Sequence, residues 1–218
     1  MPLQLQEAGF SDGKAIAFIC ISAFFDDPFQ KSLYPGMPFD EQVAVVFSRW
    51  PKDYDDDSAH YKIVVDTDSC EAVSYSKWVL VNTDAGGAFK KPTDLSKNSK
   101  PDPTPILKGL NSSFAMEFAK RMCEIRDRIL GDRPRLQLKM LGTLPSCQRR
   151  GAACLHLAWA TKLADEKGLI CWVEASPFSV ALYEKFGFQI QEKVVVQLDE
   201  SCGGGTQTSS CMMREPRK

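Results

Sequence analysis

The residues with the clearest chemical use are Gln148-Arg149-Arg150-Gly151-Ala152-Ala153, between an extended run ending at Pro145 and a helical run beginning near Arg149. The first backbone N–H groups of a helix have no internal acceptor, and the macrodipole adds partial positive charge there. Gly151, Ala152 and Ala153 carry almost no side chain, so a pyrophosphate can approach that backbone closely. Two familiar phosphate loops are excluded on residue type. A Walker A loop needs Gly-Lys-Ser/Thr at the helix start, where this chain has Arg150-Gly151-Ala152. A Rossmann fingerprint needs three glycines, and only Gly151 is present.

Other reactive types are scattered. His60 and His156 stand without a carboxylate partner in the sequence and read as structural. There is no C-x-x-C, and Cys154 lies too close to His156 for a zinc signature, so no metal site is expected. The acidic run Lys52 to Asp57 reads as a solvated turn, or in a sharper reading as an attractor for a cationic substrate. Lys90, Lys91, Lys97 and Lys100 form a basic patch inside 82–109.

The elements that must position the anion site follow from periodicity. Leu136 to Leu141 has bulky apolar residues on nearly alternate positions, so a strand is expected over 134–145. Residues 150 to 167 carry Ala, Leu and Trp at helical spacing and close on Gly168. Leu169 to Ala175 is a short apolar run suited to a buried strand, and Ser176-Pro177 opens a helix that stops at Gly187. Earlier, Leu3 to Gln6 reads as a strand, and Ser11-Asp12 caps a helix stopped by Asp26-Asp27-Pro28. A second helix runs from Phe39 to Trp50 and ends at Pro51. His60–Val65 and Glu71–Val81 make a hairpin about the turn 66–69. Phe114, Phe118, Met122, Ile125 and Ile129 mark the core stripe of an amphipathic helix capped by Asn111 or Ser112. Two strands, Phe188–Leu198 and Thr208–Arg214, flank a flexible loop at 201–205.

The chain has 218 residues, 44% apolar and 25% charged, which suits one domain spanning 1–218 with a flexible insertion at about 82–109. A net charge of −1 predicts no general affinity for nucleic acid or for an anionic membrane. The start of the chain lacks a basic n-region, and the apolar run Ala15 to Phe25 is too short to span a bilayer. Cysteines in apolar and helical runs behave as small hydrophobes, and a cytoplasmic protein with reduced thiols is expected.

Gln148, Gly151 and Ala153 resemble the Q/R-x-x-G-x-G/A loop of the GNAT superfamily of acyl-CoA N-acyltransferases, with Leu141 to Pro145 similar to the preceding strand. Trp172-Val173-Glu174-Ala175-Ser176-Pro177 and Leu182-Tyr183-Glu184-Lys185-Phe186-Gly187-Phe188 resemble a second family segment at the expected distance. The nearest likeness is to fungal members. The resemblance implies an α/β (α+β) GNAT fold, with a central, mixed, mostly antiparallel sheet flanked by helices. It implies acetyl-CoA as donor, its pyrophosphate on the N–H groups of Arg149, Arg150, Gly151, Ala152, Ala153 and Cys154, near Gln148. The pantetheine arm would pair with Leu141, Gly142 and Thr143, where an N–H facing the thioester carbonyl is worth about 3 kcal/mol.

Tyr183 matches the tyrosine that protonates the departing thiolate in many members; an ordinary phenol holds its proton at neutral pH. Glu174, beside it, is a candidate base and equally a candidate structural partner. Asp26 and Asp27 fall where acceptor sites often lie, though a helix-stop role accounts for them. Ser176 stands where many members carry Asn, and Ser179 where many carry Ala; Ser176 can still donate one hydrogen bond to the pantetheine region. The implied activity is acetyl transfer to a primary amine of a small molecule or peptide by direct attack in a ternary complex. A non-catalytic acyl-CoA-binding protein and an O-acetyltransferase of a hydroxylated metabolite are the alternatives.

Overall fold

The computed structural model describes residues 2–83, 109–200 and 203–217. Most of the insertion at 82–109, its basic patch and part of the 201–205 loop lie outside them. Seven strands form one sheet in the order β1-β2-β3-β4-β5-β7-β6. These are β1 (Leu3–Glu7), β2 (Ala59–Asp66), β3 (Glu71–Val81), β4 (Arg135–Thr143), β5 (Ile170–Ala175), β6 (Gln189–Gln197) and β7 (Thr206–Arg214). All neighbours are antiparallel except β4 and β5. The helices are α1 (Gly13–Phe24), α2 (Pro28–Leu33), α3 (Phe39–Ser48), α4 (Trp50–Asp55), α5 (Ser112–Leu130), α6 (Ala152–Lys167) and α7 (Val180–Lys185). This is the mixed, mostly antiparallel sheet flanked by helices that the sequence implied.

Alternation along β5 shows how both faces are covered. Cys171, Val173 and Ala175 pack with Leu157 and Ala160 of α6. Ile170 and Trp172 pack instead with Met122, Ile125 and Leu130 of α5. A strand buried on both sides has to be apolar throughout, which is why this one reads as a continuous run. Helix α1 shares the face of α5 and sets Ile16, Ile19 and Cys20 against Tyr61, Ile63 and Tyr75.

Three local expectations change. Asp27 does more than stop a helix: its carboxylate accepts from Phe29 N at 2.8 Å and caps α2, with Pro28 in the first turn. Pro51 likewise opens a helix instead of ending one, so Trp50 to Asp55, including most of the acidic run, is helical. Proline lacks only an N–H that the first turn leaves unbonded anyway. The expected helix from Ser176 begins later, at Val180, after a turn closed by Ser179 N to Ser176 O at 3.0 Å.

Helix α6 is tied to the sheet by polar contacts as well as packing. Trp78 Nε1 donates to Ser76 Oγ at 2.9 Å, and Ser76 Oγ lies 2.8 Å from His156 Nδ1. His156 Nε2 lies 3.2 Å from Ser74 Oγ, which donates to Gly142 O at 2.7 Å. A neutral imidazole protonated at Nε2 satisfies every link, since Ser76 donates to Nδ1 and Nε2 donates to Ser74. At the helix's other end, Arg214 grips Asp165 through two bonds of 2.7 and 2.8 Å.

Burial, with Lys62 adding to it, lowers His156 to about 3. The folded value lies below the unfolded one near 6.5, so this contribution is complete above pH about 6.5 and is lost as pH falls towards 3. Between pH about 6.5 and 4.5 the folded chain should lose about 2 kcal/mol through this residue. Thermal unfolding followed by circular dichroism should show that fall in the wild type. His156→Gln should be less stable overall and lack that part of the pH slope. Equal slopes in the two proteins would contradict the assignment.

Candidate functional site

The site is a gap that the sheet opens in itself. β4 and β5 pair in parallel only from Arg135 with Ile170 to Leu138 with Val173. β4 then continues to Thr143 and β5 to Ala175 without each other. On the opposite edge of β4, Lys77 pairs with Met140 and Trp78 with Leu138, which leaves Lys139 as the extra residue of a bulge. A bulge bends its strand and sharpens its twist, and here it sits where the two strands part. Beyond it, alternate backbone groups of β4 that point towards β5 lack a ladder partner. A cavity of about 280 Å³ occupies the opening, lined among others by Leu138, Lys139, Met140, Leu141, Glu174, Ser176 and Tyr183.

Leu141, Gly142 and Thr143 form the far end of β4. A Cβ on Gly142 would sit 3.0 Å from the Tyr75 ring and 3.3 Å from Ala23 Cβ. Glycine there lets α1 and Tyr75 close against the strand. Thr143 Oγ1 lies 3.0 Å from Ser74 Oγ, and Gln148 Nε2 reaches Thr143 O at 3.5 Å, a long contact.

Tyr183 enters the cavity from α7, buried among Leu157, Ala160 and Phe188. Burial pushes its phenol above the usual range, with the Ser179 hydroxyl acting the other way, so it holds its proton throughout the neutral range. Ser176 Oγ and Ser179 Oγ lie 3.1 Å apart beside it. Glu174 reaches the same cavity from β5. Its Oε1 accepts from Trp172 Nε1 at 3.2 Å and from Arg126 Nη1 of α5 at 3.4 Å. Both bonds fall on one oxygen, and Oε2 accepts no hydrogen bond among the described residues. With its amide oxygen facing the cations, Gln137 accepts from Arg126 at 3.2 Å and from Lys139 Nζ at 3.0 Å.

The start of α6 has the geometry expected of an anion site. Gly151 is its N-cap at φ 94°, and Arg149 is also left-handed at φ 62°. Turns of this kind bring successive N–H groups towards one side. Nothing lies within 4 Å of where a Gly151 Cβ would project, so that face is open. Ala152 is buried, while Ala153 and Cys154 continue the first turn, Cys154 on the exposed side. Arg150 is engaged elsewhere: its guanidinium donates to Asp66 at the end of β2 at 2.8 Å, and it holds that carboxyl below its usual range. Its backbone N–H remains with the cradle, and its side chain braces the loop.

One expectation about the histidines is corrected. His60 does have a carboxylate partner, Glu7 of β1, at 2.7 Å from Nε2. Lys62 pairs with the same carboxylate. Burial tends to raise Glu7's carboxyl, and the bonds from His60 and Lys62 outweigh it, leaving it below the usual range. Fifty-odd residues separate the partners in sequence, so periodicity could not show the pairing. Lys139, which the sequence reading passed over, had a signal. The adjacent apolar residues Met140 and Leu141 break the two-residue period, as a bulge does.

Among the described residues, no group of three or more His, Cys, Asp or Glu is placed to hold a metal. Nor is any described helix long and apolar enough to cross a membrane.

No family model and no curated protein matches the chain. Solved structures do. The C-terminal condensation domain of Ebony, in complex with beta-alanyl-dopamine, is similar at 15% identity and a TM-score of 0.69, covering 99% of both chains. A Corynebacterium glutamicum protein described as histone acetyltransferase HPA2 and related acetyltransferase gives 18% identity and a TM-score of 0.62, covering 100% of this chain and 98% of that one. An acetyltransferase of the GNAT family from Streptococcus pneumoniae gives 12% identity and a TM-score of 0.53, over 99% and 100%. At these identities the likeness speaks for architecture alone: with its mixed, mostly antiparallel seven-stranded sheet flanked by helices, the chain has the GNAT fold.

Proposed function

We propose that this chain is an acyltransferase that moves the acetyl group of acetyl-CoA to a primary amine of a small molecule or peptide, by direct attack in a ternary complex. The observation that carries this reading is the opening of β4 from β5, set between the bared start of α6 and the buried phenol of Tyr183. The residues present suit the donor. A thin pantetheine arm supplies polar groups to the unpaired edge of Leu141, Gly142 and Thr143, as a strand would. The pyrophosphate sits on the N–H groups from Arg149 to Cys154, on the open face of Gly151. Ser176 Oγ, which donates to Ser179 Oγ at 3.1 Å, turns its one proton to the arm in place of that contact.

The chemistry is a single displacement. The amine nitrogen attacks the thioester carbonyl carbon, a C–N bond forms, and the C–S bond breaks. Tyr183 gives its proton to the departing sulfur. The proton lost by the amine passes to Glu174 Oε2, directly or through water, because Oε1 already accepts from Arg126 and Trp172. An N–H of β4 beyond the bulge steadies the carbonyl oxygen as charge develops on it.

Three measurements test this. Gly151→Glu puts bulk and negative charge against the pyrophosphate, so calorimetry should show acetyl-CoA binding abolished. Gly151→Ala costs about 1 kcal/mol of backbone strain at a left-handed position but should still bind. Unchanged affinity in the glutamate variant would sink the cradle. Tyr183→Phe should lower kcat by about 10² or more with the KM for acetyl-CoA within a few-fold; full activity would remove the acid role. Acetyl-CoA consumption over amines, amino acids, polyamines and peptides should reveal turnover. Silence across that panel, with tight acetyl-CoA binding, would identify a non-catalytic binder.

A further inference from the structure

A second cavity, of about 560 Å³, lies beside the first among α1, α4, β2 and β3, and aromatic residues Tyr34, Trp50, Tyr61 and Tyr75 line it. The two cavities share Gln30, Leu33, Lys139 and Met140. Lys139 is thus the one charged side chain, among the described residues, that lines both. A molecule held in the second cavity and reaching for the gap between β4 and β5 would pass between Gln30, Leu33, Lys139 and Met140, of which Lys139 alone is charged.

The carboxylates that line the two cavities are all engaged. Asp27 caps α2, and Glu174 takes bonds from Arg126 and Trp172. Asp53 pairs with Lys77 at 3.2 Å. Asp56 accepts from Ser58 N at 2.9 Å and from Ser58 Oγ at 2.7 Å. Two cations are left over. Arg49 donates to Tyr34 Oη at 3.1 Å, and its buried Nε has no acceptor among the described residues. Lys139 donates to the Gln137 amide, and no described carboxylate lies within 4 Å of it. Lys139 is exposed, yet the protein packed around it and the nearby Arg126 and Lys77 push its ammonium below the usual range, against the opposing pull of Glu174 and Cys123. An anionic partner is what such a group lacks.

We infer that the acceptor is an amine that also carries a carboxylate, held by Lys139, with its apolar body in the aromatic cavity that Arg49 also lines and its nitrogen at the gap. The inference rests on the acetyl-transfer reading and names the substrate class for the same site. A bare ammonium would meet Lys139 as a like charge, whereas an amino acid brings the opposite charge with it. In an α-amino acid the nitrogen and the carboxylate share one carbon. Seating the carboxylate at the bulge therefore delivers the nitrogen to the cavity that Tyr183 and Glu174 line.

Matched pairs test this: tyrosine against tyramine, and phenylalanine against phenethylamine, as acceptors. The wild type should favour the amino acid by tenfold or more in kcat/KM. Lys139→Gln should lower that value about 10-fold or more through KM and leave the amine unchanged or improved, and Lys139→Arg should restore the preference. A wild type that prefers the amines, or a Lys139→Gln loss equal for both members of a pair, would overturn it. Calorimetry with N-acetyltyrosine and N-acetyltyramine gives a readout without turnover. Tighter binding of the first, lost in Lys139→Gln, supports the carboxylate site; equal or absent binding overturns it. Carboxylate-selective binding in a protein that transfers no acetyl group would sink the transferase reading alone.

Discussion

Parallel strands stay hydrogen-bonded only while their twists match, and in this sheet one residue ends the match. Lys139 is one residue too many for the ladder between β3 and β4. β4 keeps its pairing with β3 by bulging, and bulging turns it away from β5 after Leu138. A sheet does not usually leave polar backbone unpaired in its interior, because a buried unpaired group costs about 1–3 kcal/mol. The gap is therefore where the polar groups of the proposed donor would complete the ladder. Tyr183, Glu174, Lys139 and the end of β4 are brought together because each borders this opening.

The opening is useful only if its walls stay in place, and buried polar contacts hold them. The chain of bonds from Trp78 through Ser76, His156 and Ser74 to Gly142 fastens α6 to β3 and β4 at once. It relies on a neutral imidazole, and burial supplies that by opposing the charged form. Arg150 and Asp66 anchor the loop before α6 to the end of β2, so the N–H groups at the helix start are presented by a braced turn. On the other face, Arg126 links α5 to Glu174 and Gln137.

Much of this was legible in residue order. The stripe from Phe114 to Ile129 became α5, and Asn111 caps it as its type suggests, accepting from Phe114 N at 3.2 Å. The apolar run at 170–175 became a strand covered on both faces, and the hairpin of β2 and β3 fell where its turn residues placed it. Local signals tell half the story where one residue type serves two opposite ends of a helix. Pro28 and Pro51 follow the ends of α1 and α3, as stops do, and each also sits in the first turn of the next helix, which residue order alone does not show.

The sequence by itself determined the elements and the chemistry of the helix start, because side-chain periodicity, small residues and left-handed glycine act within a few residues of chain. It also brought Tyr183 and the loop at 148–153 under one family likeness. Only the tertiary structure decided which groups face each other across the gap. Glu7 meets His60, Asp66 meets Arg150, Glu174 meets Arg126, and Lys139 and Arg49 meet no carboxylate among the described residues. The reason is that charge pairing acts over a few ångströms in space and takes no account of separation along the chain. The turn proposed as the donor's cradle is local and legible in residue order, whereas the cavity proposed for the acceptor is lined by distant segments that meet only once they are folded together.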